Sequence, residues 1–416
     1  MKEALKLLGG IAAAALLVRL HLKEKKRAGS LRGYGESLLG IRESGMERLE
    51  YLDQLRFLAA ILVVLVHGME GAAGKLAESQ AASSDSSFPA LWYFLTGLSG
   101  VGLCCNLLFV MISGALLLPF RQESPGNFYR KRFGKVVIPL VLYYFFYLRR
   151  SGLFSMNPES VLSAVKTVIS GPMELVPHFW LVYVLVGLYV AVPFLRYLVK
   201  ELPCQMAAAM AAVVLFGTGI RCGLYLAGTG FGFDSFLFSW TGIFLFGYVL
   251  AVLPEGKWER WMIAGGIVSA AVIFWMFCFR EDGAAAAAND SPFMILTAGA
   301  VFLLFRKGEK KRRLKGKASF GRRLIQIGSR YSYSILLIHW FMLFVVAENH
   351  LHLGPDLFGG RFVLAGMMIQ VLAALAFSLL FAVIFDQTAV KLALWIWEKI
   401  WEGLGRIRAA FQPPIP

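Results

Sequence analysis

Charged side chains are scarce in this chain. They make up 16% of its 416 residues, against about 25% in soluble domains, while 58% of the residues are hydrophobic and the mean hydropathy is +0.64. Water is therefore excluded as the solvent of most of the surface. Cysteine is sparse too, at five residues. Cys104, Cys105, Cys204, Cys222 and Cys278 lie in or beside apolar runs without metal-ligand spacing, which argues against a disulfide framework and against a metal site. Missing as well is the period-two alternation of short segments that marks a membrane barrel. No small-residue cleavage site follows the apolar run at 7–18, which leads instead into the basic KEKKR at 23–27. Acidic residues are the minority charge, 26 against 42 Lys and Arg, giving a net charge of +16. The excess falls in short loops and tails, so membrane topology and anionic lipid account for it and no nucleic acid partner is expected.

What the chain has in abundance is continuous apolar sequence. A helix rises about 1.5 Å per residue, so crossing a hydrocarbon core about 30 Å thick takes roughly 17 to 25 residues. Ten stretches approach that length, near 55–74, 100–118, 136–149, 177–199, 206–228, 236–253, 259–279, 292–305, 330–347 and 362–385. The fold class is an all-α, polytopic transmembrane bundle of about ten helices. Basic residues near helix ends stay on the cytoplasmic side. The loop at 119–135 carries Arg121, Arg130, Lys131, Arg132 and Lys135, and the loop at 306–328 carries ten basic residues against the single acid Glu309. Both are assigned inside, whereas the segments at 75–99, 229–235 and 280–291, with Asp85, Asp234, Glu281, Asp282 and Asp290, are assigned outside. Ten spans then place 28–54 and 386–416 in the cytoplasm of a cell membrane protein. Three regions follow: an N-terminal segment 1–47 with an interfacial helix at 7–18, for which an eleventh span is the alternative; a bundle at 48–385; and an amphipathic tail at 386–416, with Leu394, Trp397, Ile400 and Trp401 on the face set toward the inner lipid surface. The Ala run at 284–288 reads as an outer-loop filler.

The polar residues of the first span carry the chemistry. Asp53, Arg56 and His67 occur in RLEYLDQLRFLAAILVVLVHG at 48–68. An ionisable group in a span is expensive and faces the bundle interior or a watery cavity. Arg56 and His67 are eleven residues apart, which at 100° per residue puts them on one stripe about 16 Å apart. Asp53 lies close to the same line. A bonded core His and an Arg snorkelling to headgroups is an equally good reading of either residue alone. Glu70, one turn beyond His67, is placed to orient its ring. Arg221 needs a partner such as Asp234. The small pair Ser113 and Gly114 is more often a helix-packing feature than a nucleophile site.

Several motifs in order resemble the acyltransferase-3 family of integral membrane acyltransferases. Leu52, Asp53, Leu55, Arg56 and His67 match its Leu-Asp-x-Leu-Arg opening and the Arg with ten residues before a His. LLFVMISGALLL at 107–118, FYRKRFGKVVIP at 128–139, HFWLVYVLVGLYVAVPFL at 178–195 and GSRYSYSILLIH at 328–339 resemble its Phe-rich Ser-Gly segment, its basic turn, its His-x-Trp span and its late Ser-Tyr element. Two positions depart from the pattern. Lys135 stands where Arg is frequent, keeping the charge but losing the bidentate fork, and Leu336 stands where Tyr is common.

The resemblance implies an O-acyltransferase that takes an acyl group, usually acetyl, from cytoplasmic acetyl-CoA to a hydroxyl of a cell-surface or lipid-linked carbohydrate, such as a polysaccharide precursor of the cell envelope. No permanently bound cofactor is implied. His67 is then the general base or a transient acyl carrier, because an imidazole with a pKa near 6.5 suits a weakly acidic hydroxyl. Arg56, Arg130, Arg132 and Lys135 are the expected contacts of the donor's phosphates. His178, Trp180, His339, Ser113 and Asp53 are expected along the substrate path. The rival class is a polytopic transporter or flippase of a lipid-linked sugar, which would be expected to show repeated halves and broken helices; no repeat is visible.

Overall fold

The computed structural model describes residues 2–41, 49–81, 89–119, 121–155, 157–229, 235–313, 320–359 and 361–410, without the side chains of 2–7, 310–313 and 405–410. Asp85, Asp234, residues 42–48 and 314–319 of the basic loop lie outside that set. Among the described residues there are helices and no strands. In chain order they are α1 (Lys2–Ala28), α2 (Leu31–Leu39), α3 (Glu50–Ala81), α4 (Ala90–Gly102), α5 (Cys104–Leu117), α6 (Pro125–Arg150), α7 (Pro158–Ser170), α8 (Trp180–Val199), α9 (Cys204–Leu226), α10 (Trp240–Val252), α11 (Lys257–Phe279), α12 (Ala284–Ala287), α13 (Pro292–Arg313), α14 (Phe320–Trp340), α15 (Val363–Phe385) and α16 (Lys391–Ala410). Short 3₁₀ turns precede α8 and α10, and π-helical segments follow α14 (Phe341–His350) and α15 (Asp386–Val390).

Every one of the ten apolar stretches is helical, and seven are long and apolar enough to cross a membrane. The other three are the stretches in α6, α10 and α13. In α6 and α13 the helix runs on into the basic sequences YRKR and RKGEKKRR, and α10 has only 13 residues. α1 is one continuous helix of 27 residues that carries the basic KEKKR in its last turns. Local signals set the helix starts. Ser124 caps α6 by accepting from the Asn127 N–H at 3.3 Å, and Asn157 caps α7 by accepting from the Ser160 N–H at 2.7 Å, each just before a proline at the first helical position.

The chain forms two compact units, one made of Met1–Glu43, Gln122–Val190 and Leu380–Pro416, the other of Ser44–Arg121 and Ala191–Leu379. In the first, α1 and α2 close on the segment around Asp386–Lys391. His21 Nε2–H donates to the Gln387 carbonyl at 2.9 Å, so Nδ1 accepts from the Tyr34 hydroxyl at 2.7 Å. Burial, and then the neighbouring Glu24 carboxylate, push the Tyr34 phenol above its ordinary range, which keeps that donor proton in place. Lys391 bonds Glu24 beside them, and the Gln387 amide donates to the Leu38 carbonyl at 3.2 Å. Tail helix α16 docks on α6: Trp397 lies over Gly134, and its indole N–H donates to the Arg130 carbonyl at 3.0 Å. The Leu394 and Trp397 part of the face expected on lipid is thus spent on protein, while Ile400 stays 53% exposed.

In the second unit α3 packs against α4, α5, α13 and α14, α5 against α10, and α11 against α4 and α13. The α5–α10 crossing is reciprocal. A Cβ on Gly114 would meet the Phe244 carbonyl, and one on Gly247 would meet the backbone of Met111. Two backbones in contact exclude any side chain there, which is the small-residue packing expected where lipid gives no hydrophobic drive between helices. Arginines close helix ends: buried Arg196 donates Nε–H to the Leu117 carbonyl of α5 at 2.7 Å, and Arg306 donates to Leu250 and Leu253 at the end of α10. Arg221 pairs with Asp290. The Ala run is a buried turn rather than a filler, since Ala286 and Ala287 are covered and their small side chains let the loop pack on α9, α11 and α13. Gly247→Val should force α10 off α5, costing about 1–3 kcal/mol; a thermal unfolding midpoint in detergent equal to the parent's would refute the crossing.

Candidate active site

His67 sits just past the midpoint of α3, and its partner is on the same helix. Glu70 follows by three residues, so its side chain lies on the adjoining face, and His67 Nδ1 is 2.8 Å from Glu70 Oε2. A carboxylate accepts, so Nδ1 carries the hydrogen and, in the neutral ring, Nε2 keeps its lone pair. The His67 side chain is 23% exposed and that of Glu70 46%, so the ring is reachable. Gly68 next to it lets α15 approach α3, because a Cβ there would collide with Val371.

The C-terminal end of α14 supplies the rest. His339 stacks on His67, with ring centroids 5.4 Å apart and planes 14° from parallel. It is fully buried and donates Nδ1–H to the Leu336 carbonyl at 2.8 Å, which fixes its tautomer. Trp340 meets His67 edge-to-face at 5.1 Å and packs on Phe344 at 4.7 Å. Directly after Trp340 the helix widens into the π-helical segment, a rare geometry concentrated at functional sites. Buried Gln370 of α15 braces that segment, donating to the Glu348 carboxylate at 3.0 Å and to the Leu343 carbonyl at 3.4 Å.

The other expected residues fall as follows. Asp53 is buried on α3 and accepts from the Ser329 hydroxyl of α14 at 2.7 Å, so the opening motif and the late Ser-Tyr motif touch. Arg56 is half-buried on the same helix, and Ser113 is buried beside Gly114 at the α5–α10 crossing. Arg130, Arg132, Lys135, His178 and Trp180 belong to the first unit. Arg132 is half-buried and Lys135 exposed, while Arg130 lies 3.9 Å from the Glu398 carboxylate of α16. His178 is buried in the turn before α8 against Phe179 and Tyr147, and half-buried Trp180 opens that helix. Arg221 binds Asp290 and the Phe238 carbonyl, and its expected partner Asp234 lies outside the described residues. Sequence reading passed over Trp340, Gln370 and Arg196. The signal for the first was its place next to His339, which reads equally well as an aromatic lipid anchor.

The chemistry available is that of a carboxylate-oriented imidazole with a free basic nitrogen, backed by a second, buried imidazole and an indole. Such a pair takes a proton from a hydroxyl and returns it to a leaving group. Nothing among curated proteins and nothing among solved structures matches the chain. The acyltransferase domain that defines the acyltransferase-3 family matches residues 49–387, a segment that includes α3 through α15 with His67, Glu70, His339 and Trp340. With a helical, polytopic membrane bundle and that domain over most of its length, the chain belongs to the acyltransferase-3 family of integral membrane acyltransferases.

Proposed function

We propose that the protein is an O-acyltransferase that moves an acetyl group from acetyl-CoA to a carbohydrate hydroxyl, on a lipid-linked or nascent polysaccharide, with His67 as general base. The observation that carries this reading is the 2.8 Å contact between His67 Nδ1 and Glu70. It leaves Nε2 to accept the hydroxyl proton as the oxygen attacks the thioester carbonyl carbon. When the C–S bond breaks, the imidazolium returns that proton to the CoA sulfur. Glu70 holds the tautomer and offsets the positive charge that develops on the ring. Buried His339 gives the ring a fixed plane to rest on.

For the donor, charge supports Arg132 and Lys135, which stand at i, i+3 on α6 and so share a helix face. Arg130 is the weaker candidate, because Glu398 is close to its guanidinium. The basic residues of the 306–328 loop other than Arg306 are read as topological or lipid-binding. Comparing surface glycans by mass spectrometry from cells with and without the protein identifies the acceptor, and unchanged acetylation would turn the reading toward transport.

With labelled acetyl-CoA and purified protein, His67→Ala should lower transfer by about 10²- to 10⁴-fold with unchanged membrane insertion; retention of more than roughly a tenth of the activity removes His67 from the mechanism. Glu70→Gln should reduce kcat while leaving the donor KM in place. Replacing Arg132 and Lys135 by Ala should weaken acetyl-CoA binding, and the remaining wild-type affinity should fall with added salt. A salt-independent donor affinity, unaltered by both substitutions and by a separate Arg56→Ala, would reduce the basic turn to a topology signal.

A further inference from the structure

A groove of about 400 Å³ opens within the first unit, between α1, α2 and the turn that joins α15 to α16. Leu17, Val18 and Leu22 of α1 form its apolar wall, with Tyr34 and Thr388 across from them and Lys25 on the same stripe of α1. Val18, Leu22 and Lys25 fall within about 60° of one another around the helix, and Lys25 lies about 10 Å along the axis from Val18. The other polar groups of the lining are already bonded inside the protein. His21 uses both ring nitrogens, on the Tyr34 hydroxyl and the Gln387 carbonyl, and the Thr388 hydroxyl donates to the Ile384 carbonyl at 2.7 Å. What the groove offers a ligand is therefore an apolar wall and one cation. Lys25 is exposed and pairs with no carboxylate among the described residues. The same holds for Arg19, Lys23, Lys26 and Arg27, because Glu24 is taken by Lys391 and Glu36 by Arg32 at 3.2 Å.

We infer that this groove binds an anionic phospholipid, with one acyl chain along Leu17, Val18 and Leu22 and the phosphate on the Lys25 ammonium. The groove sits where the apolar sequence of α15 gives way to Asp386, Gln387 and Thr388, the level at which a bilayer passes from hydrocarbon to headgroups. A basic cluster at that level draws anionic lipid. A free sugar or nucleotide would leave its polar groups unbonded against the apolar wall. A zwitterionic lipid would bring a positive group of its own toward Lys25 and the four cations around it. Bound here, the lipid joins α1 to the turn between α15 and α16, in parallel with the hydrogen bond from His21 to Gln387. It is a structural ligand and takes no part in acyl transfer.

The test titrates the full-length protein in detergent with dioleoylphosphatidylglycerol or dioleoylphosphatidylcholine and reads bound lipid by native mass spectrometry. Phosphatidylglycerol should bind saturably, and phosphatidylcholine at least about 5-fold more weakly. Lys25→Gln should weaken phosphatidylglycerol binding about 5-fold, the effect of one cation near a lipid surface. Lys23→Gln removes the same charge from a face about 160° around the helix and should cost less than about 2-fold. Val18→Gln combined with Leu22→Gln, at side chains 57% and 59% exposed, should weaken binding with the lipid-free thermal midpoint unchanged. Equal affinity for the two lipids overturns the site. Equal losses in the two lysine variants overturn it as well, since diffuse charge would then explain the binding. Unchanged affinity in the double variant removes the acyl chain from the groove and has the same effect. Were the double variant to lower the thermal midpoint, the comparison of Lys25→Gln with Lys23→Gln decides alone.

Discussion

A bilayer offers a polar group no hydrogen-bond partner, and the organisation of this chain follows from that constraint. Several of the polar side chains that enter the apolar region are bonded by protein groups. Arg196 closes the end of α5, Arg306 closes the end of α10, Asp53 takes the Ser329 hydroxyl, and Gln370 takes the π-helical segment. The His67–Glu70 pair belongs to the same economy: a ring that would be costly alone is supplied with a carboxylate from its own helix. Its other nitrogen belongs to a ring still within reach from outside.

The contacts within one helix were legible in the sequence, and those between helices were not. Spacing alone put Glu70 beside His67, since three residues along an α-helix is a neighbouring position. Spacing also located all ten apolar helices, with errors at the ends where basic residues extend a helix without making it more apolar, as in α6 and α13. The stacking of His339 on His67 joins α14 to α3, and no periodicity within either helix specifies it. The family resemblance named His339 as a pocket residue but gave no reason to look at its neighbour Trp340. Nor does any simple pattern announce a π segment.

Two further expectations changed for tertiary reasons. The amphipathic face of α16 gave a correct helix, but an apolar face records only that water is avoided; whether lipid or α6 covers Trp397 depends on the small surface at Gly134. The Ala run was read as filler because alanine has little to say in sequence. Its smallness is what admits a turn into a crowded space.

The segment that matches the family ends at residue 387, and Gln387, with Lys391 beside it, ties α1 and α2 to the chain, through its carbonyl to His21 and its amide to Leu38. Evolutionary unit and folding unit therefore part company at this point. The first 41 residues lie outside the matched segment yet supply hydrogen bonds to its last position. Anyone trimming the protein to its recognisable core for reconstitution would cut through a hydrogen-bonded joint, and a transplanted module would arrive with the turn between α15 and α16 unsupported.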